Sequence, residues 1–205
     1  KIQGLFSGAI VNNILHSHPG ASFGGFVHND LSFEISNQMI DMLIAEAQNK
    51  KLNEIVIIPT PFVYYQNYHE VIEYCLYNKG FKDIEYYISS FVDLDNNLIE
   101  QMHSRKKRYI KKFENQVKVK LSEDLDSFYP ILIENKKKHN ATPTHSLDEL
   151  KLLINKFPDQ IKLLLTFKDD KVIGGALNFI TNNHTCILFY NMIDYDYQNI
   201  QIASI

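Results

Sequence analysis

The residue types able to do chemistry in this chain lie in three places. The first is a short loop, HNATPTH, bracketed by His139 and His145 and containing Thr142, Pro143 and Thr144. Imidazole titrates near neutral pH, so either histidine can serve as a general base toward an amine. The plainer reading makes both of them local hydrogen-bond partners, His139 closing one helix and His145 standing ahead of the cap of the next. The second place is the stretch NNILHSHPGASFGG, with His16, His18, Gly20, Gly24 and Gly25. Its glycines can supply positive φ or let a ligand approach the backbone closely. Loops of this kind often carry function, and the alternative is an ordinary connection. Metal chemistry is possible through the H-x-H pair, but such a pair alone does not specify a site, and no metal is expected. The third place is Arg105 to Lys112, with six cations in eight residues. Arg105 and Arg108 can grip phosphate through two donors each, on a nucleotide-sugar, a lipid pyrophosphate or tRNA. The bland reading is a solvated helix face.

The elements that would position these residues follow from periodicity. Lys1 to Val11 reads as a strand, with Gly4 and Gly8 permitting a bulge or close approach. Asn12 to Gly25 reads as a loop. Phe33 to Lys50 carries Ile35, Met39, Ile40, Leu43, Ile44 and Ala47 at helical spacing. EIVIIP after Asn53 predicts a short buried parallel strand, and PTPFVYYQNY a loop. His69 to Asn78 predicts a helix stopped by Gly80, and Tyr86 to Val92 the next strand. Leu98 to Phe113 predicts a basic helix with Leu98, Met102, Tyr109 and Phe113 on one side. Val117 to Leu121 predicts a short strand, and Phe128 to Lys138 a helix with Pro130 near its first turn or kinking it. Ser146 and Glu149 form a capping box ahead of the stripe Leu147, Leu150, Ile154 and Phe157. IKLLLTF, KVIGGALNFI and TCILFYNMI then predict a three-strand antiparallel meander, with KDDK and TNNH as hairpin turns. Asp169 and Asp170 fit that turn chemistry.

Composition bounds the function classes. The chain has 205 residues, 45% of them hydrophobic and 22% charged, enough for one large domain or two small ones. A net charge of -3 argues against a general nucleic-acid binder, DNA included. The two cysteines, Cys75 and Cys186, lack a C-x-x-C partner, which suits a reduced, cytoplasmic protein without a zinc site. No apolar run approaches the length that spans a bilayer. The chain opens on Lys1 inside an apolar segment and closes on IQIASI, which reads as the first turns of a helix. The expectation is that one or both ends continue.

Several motifs in order resemble a known superfamily. EYCLYNKGF, Glu73 to Phe81, is similar to the helix end of GNAT acyltransferase domains. GASFGGFV, a helix, EIVIIPTP, the basic RKKRYIKKFE helix and KHNATPTHSLDEL together resemble the Fem-like branch. That branch carries tandem GNAT repeats and includes peptidoglycan-bridge aminoacyltransferases and related bacterial N-acyltransferases. The resemblance implies an α/β (α+β) fold, a GNAT-like mixed sheet flanked by helices, as two repeats incomplete at the chain ends. Residues 1–95 would be the later part of a first repeat, 96–116 a basic connecting helix, and 117–205 the early part of a second.

The implied reaction is transfer of an acyl or aminoacyl group to an amine of a small molecule, sugar or cell-wall precursor. The donor would be acyl-CoA (acetyl-CoA) or aminoacyl-tRNA, and the oligomeric state is left open. The resemblance makes His139, His145 and Tyr190 the catalytic candidates, with Tyr190 giving a proton or hydrogen bond to the leaving group. Asn191, Ile193, Gln198 and Asn199 would hold the donor. His16, His18, Gly24, Gly25, Arg105 and Arg108 would bind substrate, the first four where a first repeat has its phosphate loop. A cleft shared by the two repeats would bring the two sets together. Tyr77 matches a tyrosine that is often a general acid in the superfamily, although packing is its expected role here. One departure stands out. The Q/R-x-x-G-x-G/A loop that binds the CoA pyrophosphate is replaced by DYDYQNIQIAS, where Gln198 is present without glycine. That departure supports an alternative, a non-catalytic ligand-binding module of the same fold. RNA binding through the basic helix is a weaker third option.

Overall fold

A computed structural model describes residues 2–29, 32–93 and 97–200. The helix expected in the closing IQIASI lies outside them from residue 201 onward. The protein is mixed α/β, with several sheets flanked by helices, and its chain divides into two compact units, Lys1–Ser89 and Ser90–Ile205. Among the described residues no helix is long and apolar enough to cross a membrane.

In the first unit the expected strand from Lys1 to Val11 is two strands, β1 (Gly4–Ser7) and β2 (Ala9–Val11), in different sheets. The break falls at Gly8, where a Cβ would sit 2.7 Å from the His16 carbonyl oxygen. Only glycine allows that approach, so the chain turns here from one sheet to the other. The expected loop from Asn12 to Gly25 is also corrected. Asn12 and Asn13, at φ 52° and 64°, form the two-residue turn that twists a hairpin correctly. That turn leads into β3 (Ile14–His16), antiparallel to β2. β4 (Gly25–His28) pairs with β1. β5 (Glu54–Val56) lies parallel to β3, as its apolar run predicts.

Helix α1 (Phe33–Asn49) is capped by Ser32, whose Oγ accepts from Ile35 N–H. It buries Ile40, Leu43 and Ala47, and α2 (Val71–Asn78), which packs on it, buries Ile72 and Cys75. Gly80, at φ 89°, ends α2: its N–H reaches the Tyr77 carbonyl and Phe81 N–H reaches the Leu76 carbonyl. Those two bonds make the Schellman stop. The strand expected at Tyr86 to Val92 does not form. Tyr86, Tyr87 and Ile88 are 85%, 81% and 100% exposed, because β propensity is realised only against a paired neighbour.

In the second unit the basic helix is two pieces, α3 (Leu98–Gln101) and α4 (Ser104–Phe113). Met102 is extended between them, and His103 Nδ1 accepts from Arg105 N–H to start α4 afresh. Phe113 is buried with Val117, Ile173 and Ile200. The sheet is antiparallel in the order β6-β7-β8-β9, comprising β6 (Lys118–Ser122), β7 (Ile161–Lys168), β8 (Lys171–Ile180) and β9 (Cys186–Ile193). Asp169 and Asp170, both at positive φ, turn β7 into β8.

Helix α5 (Leu125–Lys137) begins three residues ahead of Phe128, so Pro130 falls in the second turn. Phe128 and Leu132 from α5, with Leu150 from α6 (Leu147–Lys156), pack on Leu163, Leu165, Leu177 and Tyr190 of the sheet. Gly175 makes room for this layer. A Cβ there would meet the Leu164 carbonyl oxygen at 2.5 Å and the Phe128 ring at 3.2 Å.

Both helix starts depend on carboxylate and hydroxyl caps. Asp124 accepts from the Ser127 N–H and hydroxyl. Ser146 and Glu149 form the expected reciprocal box. The Ser127 side chain and then its backbone hold the Asp124 carboxyl below its usual value, and the Ser146 backbone does most to lower that of Glu149. Depressed carboxyls stabilise the folded chain above the ordinary carboxylate range, and this contribution fades as pH falls through the lowered values. Thermal melts should therefore fall from about pH 5 downward. Ser146→Ala is expected to cost about 1 kcal/mol in urea unfolding at neutral pH and to remove the Glu149 share of the acid sensitivity.

Candidate functional site

The sequence candidates fall in both units. In the first, the loop after β3 folds over the end of β5. Ser17 N–H donates to the Val56 carbonyl, Ile58 N–H donates to Ser17 Oγ, and Gly24 N–H donates to the Ile58 carbonyl. Gly25, at φ 114°, turns the chain into β4, and a Cβ on Gly24 would meet the His18 Cβ at 2.7 Å. His16 is half-buried on β3 and His18 is exposed at φ 47°. The two glycines thus serve close packing and a turn.

In the second unit the structure brings Tyr190 and the loop ahead of α6 together. Tyr190 is 2% exposed, and its hydroxyl accepts from Thr144 N–H at 3.2 Å. The phenol proton is therefore free to be donated elsewhere. His145 stands beside Thr144, with its ring centroid 5.5 Å from that of Phe189 and its carbonyl accepting from the Tyr129 hydroxyl. His145 Nδ1 is buried without a partner. His139 is exposed after the end of α5, where its N–H reaches the Lys136 carbonyl. No hydrogen bond or ring contact among the described residues joins it to Tyr190 or His145.

Ile193, one of the donor-binding candidates, has both backbone polar groups engaged by the buried Asn135 side chain, which donates to its carbonyl at 2.7 Å and accepts from its N–H at 3.5 Å. One expectation needs correction: Tyr77 was expected to pack, but it is 78% exposed. Asn191 is exposed on β9, and Gln198 and Asn199 are exposed in the 3-10 turn Tyr195–Ile200 that follows it. Arg105 and Arg108 lie on the solvent face of α4.

The sequence reading missed a ring of lysines around the end of β9. Lys138 Nζ lies 3.0 Å from the centroid of Tyr195. Lys171 and Lys168 lie 4.9 and 5.8 Å from that of Tyr197, and Lys136 lies 5.5 Å from that of Tyr190. Lys171 also pairs with Asp194 at 3.0 Å, and that bond pushes its ammonium above the usual lysine value. These cations come from the end of α5 and the β7–β8 hairpin, so no local pattern marks them.

No family model matches the chain, and neither does any curated protein. Among solved structures, an aminoglycoside acetyltransferase from an uncultured soil metagenomic sample, in complex with sisomicin, is similar at 16% identity with a TM-score of 0.33. The match covers 42% of this chain and 61% of that one, less than two thirds of its length. A likeness of that size settles neither fold family nor activity. No cluster of three or more His, Cys, Asp or Glu side chains suited to a metal ion occurs among the described residues.

Proposed function

We propose that the chain is an N-acyltransferase whose donor is held at the end of β9. The supporting observation is the lysine ring there. Three ammonium groups, from Lys138, Lys168 and Lys171, gather on two tyrosines where β9 leaves the sheet. Clustered cations suit a phosphorylated donor, and they offer what a glycine-free loop cannot supply through backbone donors alone. Among the described residues the edge of β9 away from β8 has no strand partner, so it can receive the amide-bearing arm of an acyl-CoA as an added strand. Asn191, Gln198 and Asn199 are exposed along that route.

In this reading Tyr190, oriented by Thr144 N–H, gives a hydrogen bond to the leaving group, and His145 is the nearby base candidate. The acceptor is a primary amine on a small molecule, sugar or cell-wall precursor. The two-repeat arrangement and the Fem-like branch belong to the same proposal, supported by the ordered motifs. They leave aminoacyl-tRNA as the second donor class.

The test incubates the chain with labelled acetyl-CoA, or with aminoacyl-tRNA, over a panel of primary amines. Transfer from one donor is expected. Failure of both donors to bind at millimolar concentration would sink the proposal. A second reading, a non-catalytic module of the same fold, is favoured by the near-complete burial of Tyr190. It predicts donor binding with no transfer.

A further inference from the structure

We infer that Glu73, Tyr65 and His69 of the first unit form a binding site for a primary ammonium group. Tyr65 ties the other two together. Its hydroxyl donates to Glu73 Oε1 at 2.8 Å, and its ring stacks on that of His69 at 5.0 Å between centroids, with only 16° between planes. His28 closes the group, its ring 4.9 Å from that of His69. Its Nδ1 donates to the Asn29 carbonyl at 2.8 Å, which leaves Nε2 of the neutral ring as an acceptor.

The group is rich in acceptors and short of donors. Glu73 Oε2 and His69 Nδ1 are both buried without a hydrogen-bond partner. A buried carboxylate oxygen without a donor is costly, so an arrangement of this kind is stabilised by a cation that enters it. Tyr65 does not supply that cation, and its proton stays in place. Burial first, and then the Glu73 carboxylate, push the phenol well above its usual range. No lysine among the described residues supplies it either. Lys79 lies in the same neighbourhood but is bound to Asp41 at 2.6 Å, and no ion pair among the described residues reaches Glu73.

The site has an entrance. Glu73 lines a groove of about 630 Å³ along β5, whose walls include Ile44, Ile55, Ile57, Leu76 and Phe81. Of this group, Glu73 is the member that lines the groove. An alkyl chain lies along the apolar wall while its ammonium meets the Glu73 carboxylate, with the stacked Tyr65 and His69 rings behind it. An ammonium has three donors and no acceptor, which matches the surplus of acceptors. A compact primary ammonium suits the site better than a planar guanidinium, because Tyr65 occupies Glu73 Oε1 and leaves one carboxylate oxygen, too few for a bidentate fork.

The test is an NMR titration of the whole chain with n-butylammonium, run beside neutral n-butanol. Saturable shifts at the Tyr65, His69 and His28 rings are expected with the ammonium, and binding of the alcohol about ten-fold or more weaker, the size of one hydrogen bond to a charged group. Glu73→Gln should weaken ammonium binding about as much, with the thermal melt of the first unit retained. Equal response to the alcohol, shifts mapping to other residues, or no saturation by about 50 mM would each overturn the assignment. If the Gln variant does not fold, the ring shifts of the wild-type chain decide alone. No acyl donor is present in these titrations, so their failure is separate from failure of the acyltransferase reading.

Discussion

Phe128→Ala is expected to destabilise the second unit by about 3–5 kcal/mol, the usual cost of emptying a fully buried aromatic site. Phe128 is 0% exposed at the centre of the layer where α5 and α6 meet the sheet. Relaxation into the space is restricted from above by Leu132 and Leu150, which are themselves buried, and from below by the β7–β8 pair at Gly175. Urea unfolding followed by far-UV circular dichroism measures the loss. A cost below about 1 kcal/mol would mean that this layer is not the core of the unit.

Tyr190→Phe is expected to lower acyl transfer by about 10²–10⁴-fold, the range for removal of a positioned proton donor. The accompanying loss of stability should be only about 1 kcal/mol, because one hydrogen bond from Thr144 N–H is removed while the ring stays in the core. The two effects separate the readings. A fall in kcat with unchanged donor affinity places the hydroxyl at the reacting centre. A loss of stability alone makes Tyr190 a packing residue whose hydroxyl anchors a loop.

Legibility in the sequence differed between the two units for physical reasons. The second unit is made of elements whose signals are local. Ser146 and Glu149 cap α6 as their spacing requires, and the KDDK turn joins two strands of eight and ten residues. β1, β2, β3 and β5 in the first unit are three or four residues long, too short for alternation to be read. The hairpin at Asn12 and Asn13 was hidden because the stretch is crowded with turn formers, although the Asn-Asn pair itself is a hairpin signal. YYISSFV failed in the opposite way. Its composition favours a strand, but pairing comes from a neighbour, and composition cannot supply one.

The candidate sites show the same division. His145 and Tyr190 are 45 residues apart, yet both can be singled out as candidates, because one flanks a capping box and the other sits on a meander strand. The lysines around Tyr195 and Tyr197 escaped notice because two segments far apart in sequence, the end of α5 and the β7–β8 hairpin, contribute them. Tyr65, His69 and Glu73 were detectable in principle. They recur every four residues, and the last opens a helix, a spacing that stacks side chains on one side. Reading residues 59–68 only as a loop with aromatics obscured that pattern.

The central claim is that the end of β9 receives an acyl donor. The most direct measurement is backbone-amide NMR of the whole chain titrated with coenzyme A. The account predicts saturable shifts concentrated on Tyr190–Ile200, with Lys138→Ala and Lys168→Ala each weakening binding and high salt weakening it further. No shift in that segment at millimolar coenzyme A would contradict the claim.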